Sequence, residues 1–202
     1  APTGTWDQPW FGATHDYTVT INALNLYCES RPSANSYFTD QAAAMISEVI
    51  LNGDNYNINN STPEDTFQMY ESYLGQNADI TEGEEYTISI TLDGYSDGQG
   101  SGNSKNNSGA KVYIDYNMNG DFNDPGEEIG IVPYRTSSTV GIPELINFTV
   151  PSTGIYGTTR MRVVCQYINP APANVNDLNF IGPCDAPTGT WDQPWFGATH
   201  DY

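Results

Sequence analysis

The sequence predicts an all-β protein: an antiparallel β-sandwich, immunoglobulin-like or jelly-roll-like, with long loops and one calcium-type loop. Three observations carry this. At least seven short segments are rich in β-branched and aromatic residues, several of them alternating apolar and polar positions as a half-buried strand does. Clusters of Gly, Pro, Asn and Ser separate them. Hardly any stretch has the 3.6-residue period of a helix.

Taken in order, Asp16–Asn22 reads as the first strand, with Tyr17, Val19 and Ile21 on one face and threonines on the other. Ala23–Leu26 reads as a short linker. Asp40–Leu51 reads as a helical turn behind an Asp cap that runs into a strand from Met45. A short strand is expected near Tyr56–Ile58. Glu85–Leu92 is the clearest strand, because Tyr86, Ile88, Ile90 and Leu92 alternate with Thr87, Ser89 and Thr91. Asp93–Ser108 is a Gly/Ser/Asn loop. Strands follow at Lys111–Tyr116, Glu128–Val132, Leu145–Val150 and Arg160–Ile168. In the last of these Met161, Val163, Cys165 and Tyr167 share a face, and Arg160 and Arg162 take the other. Asn169–Asp185 is a long Pro/Asn loop, and a final strand enters near Thr199.

The segment APTGTWDQPWFGATHDY occurs twice without a change, at Ala1–Tyr17 and at Ala186–Tyr202. Exact repetition marks a repeat architecture or an assembly joint. It sets a unit of 185 residues, Thr18–Tyr202, preceded by the tail of an identical unit. The second copy stops at Tyr202, inside a strand that the first copy continues through Ile21. The division that follows is 1–22, the terminal strand of a preceding or neighbouring unit, and 23–202, the sandwich unit. Trp6, Trp10, Tyr17, Val19, Ile21, Trp191 and Trp195 are then the candidate assembly residues. The rings of Trp191, Trp195 and Phe196 could also stack on a sugar, but their place in the duplicated segment favours packing.

Twenty-five acidic residues stand against six basic ones, a net charge of -19. Nucleic acid and anionic membranes are poor partners for such a surface, and cations are good ones. No apolar run is long enough to span a bilayer, so no membrane insertion is expected. Scarce Lys and abundant Tyr, Asn, Thr, Ser and Gly fit an extracellular or cell-surface protein.

One motif carries chemistry. Asp115-Tyr-Asn117-Met-Asn119-Gly120-Asp121 follows directly on a strand and has the D-x-N-x-N-G spacing of a calcium loop. Alternate side chains turn oxygens to one hard cation, and Gly120 permits the bend. Position 12, where an EF-hand places its closing acid, is Gly126; the acids Glu127 and Glu128 come after it. The expected ligands of a structural Ca2+ are Asp115, Asn117, Asn119, Asp121 and Glu127, with Asp124 and Glu128 in reserve.

Three cysteines leave one unpaired. Cys165 and Cys184 flank an expected hairpin and are the first choice of pair, with Cys28–Cys184 the rival. Asn59, Asn60 and Asn106 head glycosylation sequons, and the weaker one at Asn147 falls in an expected strand. No catalytic constellation appears, and no enzyme is expected. The only histidines, His15 and His200, are the same repeat position. The adjacent Glu127 and Glu128 would point to opposite faces of a strand rather than act as a glycosidase pair.

Several blocks resemble the GEVED domain. Val112-Tyr-Ile-Asp115 through Glu128 is similar to that family's central "IDWNQDGDF…GEE" block, and Phe148–Val163 to its "tVP…GtTRMRV" strand pair. Tyr27-Cys28 matches its opening and Pro183-Cys184 the cysteine before its last motif. Gly197–Tyr202 falls on the name-giving G-E-V-E-D-Y, with Ala198 and His200 in place of the two glutamates. The resemblance implies a β-sandwich module of secreted bacterial surface proteins with adhesive or structural roles. Two functions follow as expectations. One is a subunit or tandem repeat of an extracellular fibre, joined to itself head to tail through the duplicated strand and stabilised by calcium. The other is a carbohydrate-binding adhesin module with surface glycans as partners.

Overall fold

The structure, a computed structural model, describes residues 15–17, 27–30, 44–63, 68–94, 107–184 and 197–202. Nine strands and no helix are found among them: β1 Ala44–Asn52, β2 Asn57–Ser61, β3 Tyr70–Ser72, β4 Glu85–Gly94, β5 Ser108–Ile114, β6 Glu128–Arg135, β7 Glu144–Thr149, β8 Met161–Tyr167 and β9 Ala198–Asp201. They form two sheets, β2-β1-β4-β7 and β3-β9-β8-β5-β6. All pairings are antiparallel except β3 beside β9, so the second sheet is mixed.

The facing sides of the two sheets build the main core. Val49 and Leu51 of β1, Ile88, Ile90 and Leu92 of β4, Val112 and Ile114 of β5, and Met161, Val163 and Cys165 of β8 are all buried in it. The residues alternate along each strand because successive side chains leave opposite faces. The alternation in β4 survives in the structure because its other face is partly open to solvent, at Thr87 and Ser89. Strands β5 and β8 are different: β5 is buried along its whole length and β8 nearly so. A second apolar layer covers their outer face, made by Tyr113, Val164 and Ile168 with Phe122, Leu178 and Ile181 from the loops. The expected Pro/Asn loop after β8 is therefore a cover for the five-stranded sheet.

This layering corrects the expected disulfide. Cys165 points inward, fully buried in the core cluster, and is free. Cys184 lies on the outer side of the same sheet and pairs with Cys28. Two cysteines on opposite faces of one strand layer cannot meet, however close the sequence brings them. The bond spans a sequence separation of 156 residues and ties the 27–30 segment to the covering loop.

Other expectations shift by a few residues. The strand near Tyr56–Ile58 runs at Asn57–Ser61, and the one at Lys111–Tyr116 runs at Ser108–Ile114. Of the strand expected at Asp16–Asn22, Asp16 and Tyr17 carry no strand pairing, and 18–22 lie outside the described residues. The helical turn expected from Asp40 falls on residues outside them up to 43. Among the described residues no helix is long and apolar enough to cross a membrane.

Candidate functional site

Strand β9 lies in the second copy of the repeated segment, and the described residues of that copy, Gly197–Tyr202, each have a fitted place. Gly197 passes so close to β8 that a Cβ there would lie 1.8 Å from the Cys165 carbonyl oxygen. Only a residue without a side chain allows that approach. Ala198 enters the main core. The hydroxyls of Thr199 and Ser30 share a hydrogen bond of 2.9 Å. His200 is fully buried, with Nε2 2.8 Å from Glu71 Oε2 of β3.

Asp201 is also fully buried, and it takes the guanidinium of Arg162 on both oxygens, from Nε at 2.7 Å and from Nη2 at 2.8 Å. Arg160 adds a contact of 3.3 Å, and the Tyr70 hydroxyl donates to the same carboxylate at 2.9 Å. Tyr202 stacks on Tyr73 with ring centroids 5.4 Å apart, and its hydroxyl accepts from Asn60 Nδ2 at 3.0 Å. Its backbone still pairs with Met161 in both directions.

Arg162 also donates to the carbonyls of Cys28 and Pro183, at 2.9 and 2.7 Å. One buried guanidinium thus holds the terminal strand and both sides of the disulfide. Burying a charge is costly unless it is paired and hydrogen-bonded, and here each of the three guanidinium nitrogens donates. Glu71 sits in a balance. Burial pushes its carboxyl up, but the neighbouring His200 and the Tyr73 hydroxyl outweigh this and hold it below the ordinary value.

In the first copy, His15–Tyr17 have none of these partners among the described residues. His15, Asp16 and Tyr17 are exposed, Tyr17 at 83%, whereas their counterparts His200, Asp201 and Tyr202 are buried. The other expected assembly residues, Trp6, Trp10, Val19, Ile21, Trp191 and Trp195, lie outside the described residues.

The Asp115 loop leaves β5 and returns to β6. Asp115 is fully buried and accepts backbone N–H groups from Asn119 at 3.2 Å and Gly120 at 2.9 Å. Asn117 Oδ1 accepts the Asn119 N–H and Asn119 Oδ1 the Asp121 N–H. Gly120 has φ 86°, the left-handed conformation that favours glycine. Asp124, held in reserve by the sequence, turns into the loop: its Oδ2 accepts from Asn117 Nδ2 at 2.7 Å and Asn119 Nδ2 at 2.6 Å. The Asp121 carboxylate faces away and caps Asn123 instead, which lowers its pKa. The other reserve acid, Glu128, is paired with Lys111 at 2.9 Å.

Glu127 is buried beneath this loop. Burial, with the charges of Asp115 and Asp124 adding to it, pushes its carboxyl up to about 7 against the lowering effect of backbone N–H groups. Among the described residues no three His, Cys, Asp or Glu side chains form a ready metal cluster. The amides of Asn117 and Asn119 take part in the loop's interior as well.

The loop and the strand seat are joined. The Tyr27 hydroxyl donates to Asp115 Oδ2 at 2.8 Å, and the Arg160 guanidinium lies 4.1 Å from the centre of the Tyr27 ring. Arg160 then reaches Asp201.

Of the sequon residues, Asn59 is exposed on the edge strand β2. Asn60 is buried and is no acceptor for a glycan: it donates to Tyr202 and accepts from Gln76 Nε2 at 3.2 Å. Asn106 lies outside the described residues. Sequence reasoning missed Glu71, Tyr70 and Tyr73, because a three-residue strand is too short to show a period. It also gave Arg162 no role, although a cation at alternate positions of an apolar strand, in a chain with six basic residues, is a signal for a buried acidic partner.

Fold and site together define a disulfide-clamped β-sandwich whose last strand is held in an ionic and aromatic seat. Residues 109–202 match the family model of the GEVED domain. That stretch runs from β5 to Tyr202 and contains both the acidic loop and β9. No curated protein matches the chain.

Proposed function

We propose that this chain is a unit of an extracellular fibre, joined to copies of itself head to tail through the duplicated strand. One observation carries the reading: the same His-Asp-Tyr sequence is buried with fitted partners at His200–Tyr202 and stands exposed at His15–Tyr17. A sequence shaped to a seat, present a second time outside it, belongs to a second seat. Two joints satisfy this. In one, units are covalently continuous, and Ala1–Tyr17 closes the body of the unit before it. In the other, separate subunits exchange the strand, one filling the β3–β8 gap of its neighbour by strand addition. Either contact joins two different surfaces and does not close on itself, so it propagates a filament.

The native material distinguishes them. Covalent repeats give a ladder of masses spaced by one unit after denaturation and reduction, and fibres in electron micrographs. A single band near 22 kDa with fibres in the micrograph supports strand exchange. A single band with only isolated particles refutes the fibre reading.

A further inference from the structure

We infer that the loop from Asp115 to Glu127 binds one hard divalent cation of calcium's size, through oxygens of Asp115, Asn117, Asn119, Asp124 and Glu127. Acidic loops are common, and the spacing alone does not establish a site. The independent observation is Glu127: it is 2% exposed, and its Oε2 has no hydrogen-bond partner. Its Oε1 is turned to the Asn117 N–H at the far limit of a hydrogen bond, 3.5 Å, so the carboxylate is aimed into the loop. A buried carboxylate oxygen with no donor costs stability unless a positive charge meets it. The hydroxyl of Tyr116, on the strand side of the loop, is also buried without a partner.

Among the described residues no side-chain cation is placed to meet this need. Lys111 pairs with Glu128, and Arg160 and Arg162 pair with Asp201. The loop instead brings two amide N–H groups onto one oxygen of Asp124, which marks the point where positive charge is wanted. A cation there takes over that role, and the two amides turn to present oxygen. Donors of oxygen alone exclude a zinc-type site. Six or more flexible oxygen ligands suit calcium, whereas magnesium needs near-ideal octahedral geometry and retains most of its water. Asp121 is at the position where such loops supply a main-chain carbonyl, so its side chain is dispensable.

The test is calorimetric titration of the whole chain with calcium chloride after chelator treatment, alongside thermal melts with chelator, calcium or magnesium. One calcium per chain is expected, with a melting temperature raised by about 5–10 °C at a calcium concentration near one hundred times Kd. Glu127→Gln removes the response without removing the fold, since it deletes an unpaired buried charge. Asn119→Ala, at an exposed position, weakens the response and serves if Glu127→Gln does not fold. Asp121→Asn keeps it. Absence of both heat and melting shift in the unmodified chain overturns the proposal, as does an undiminished response in Glu127→Gln and Asn119→Ala. An equal response to magnesium overturns the assignment to calcium, and a loss in Asp121→Asn overturns the donor set.

Discussion

Arg162 and Asp201 form the pair on which the terminal strand depends. Both are essentially buried, so removing one partner leaves the other charged in a site that water cannot reach. Asp201→Ala should therefore cost about 3–5 kcal/mol, more than an exposed ion pair is worth. Urea denaturation checks this as a lower midpoint with an unchanged slope. The neighbouring Glu71 gives the seat an acid limit. Its pKa is lowered in the folded state, so its contribution is fully present above the unfolded carboxylate value of 4.5 and is lost as pH falls through the folded value. The melting temperature should then drop below about pH 4.5 less steeply in Glu71→Gln than in the unmodified chain. The family's signature places glutamates at the positions of Ala198 and His200. Here Ala198 is buried in the core and His200 faces Glu71 of β3.

At the scale of elements, legibility depended on how many faces an element exposes. Strand β4 could be read because one face is buried and the other partly wet, which writes alternation into the sequence. Strands β5 and β8 lie under two apolar layers, so burial no longer tells their faces apart, and the cover over the outer face was read only as a loop. The acidic loop was legible because its oxygens are spaced locally. That the Asp124 carboxylate meets Asn117 and Asn119 while that of Asp121 meets Asn123 was not, since it depends on which way each side chain turns once the loop closes. The cysteine pairing was hidden for the same reason: spacing carries no record that Cys165 faces in while Cys184 sits outside. That pairing has a direct test. Alkylation should label no cysteine in the native chain, one after denaturation without reductant, and all three after reduction. Removing the bond by Cys28→Ser with Cys184→Ser should cost on the order of 4 kcal/mol, because it frees a very long loop in the unfolded chain.

At the scale of the whole molecule, the question is whether one chain's seat accepts another chain's strand. Gly197→Ala separates the two joints, because it changes the seated copy and leaves Gly12 in the first copy intact. The added methyl meets the Cys165 carbonyl, a backbone atom of the neighbouring strand that cannot swing aside, so β9 is driven out of its place. If subunits exchange strands, the emptied β3–β8 gap is open to the unmodified copy of another molecule, and the variant polymerises more readily than the original chain. If units are joined covalently, each first copy is already seated in the body of the unit before it, none is free to fill the gap, and the variant is only destabilised. Light scattering after size exclusion reads the difference as growth of oligomers with concentration, or as a monomer with a lowered melting temperature. A peptide of residues 186–202 sharpens the result. Added in excess it should fill the open gap in Gly197→Ala, restore the melting temperature and stop oligomer growth, because it carries the glycine that β8 requires. A peptide with alanine at that glycine should do neither, and if the two peptides act alike the seat does not select the strand that the duplication repeats.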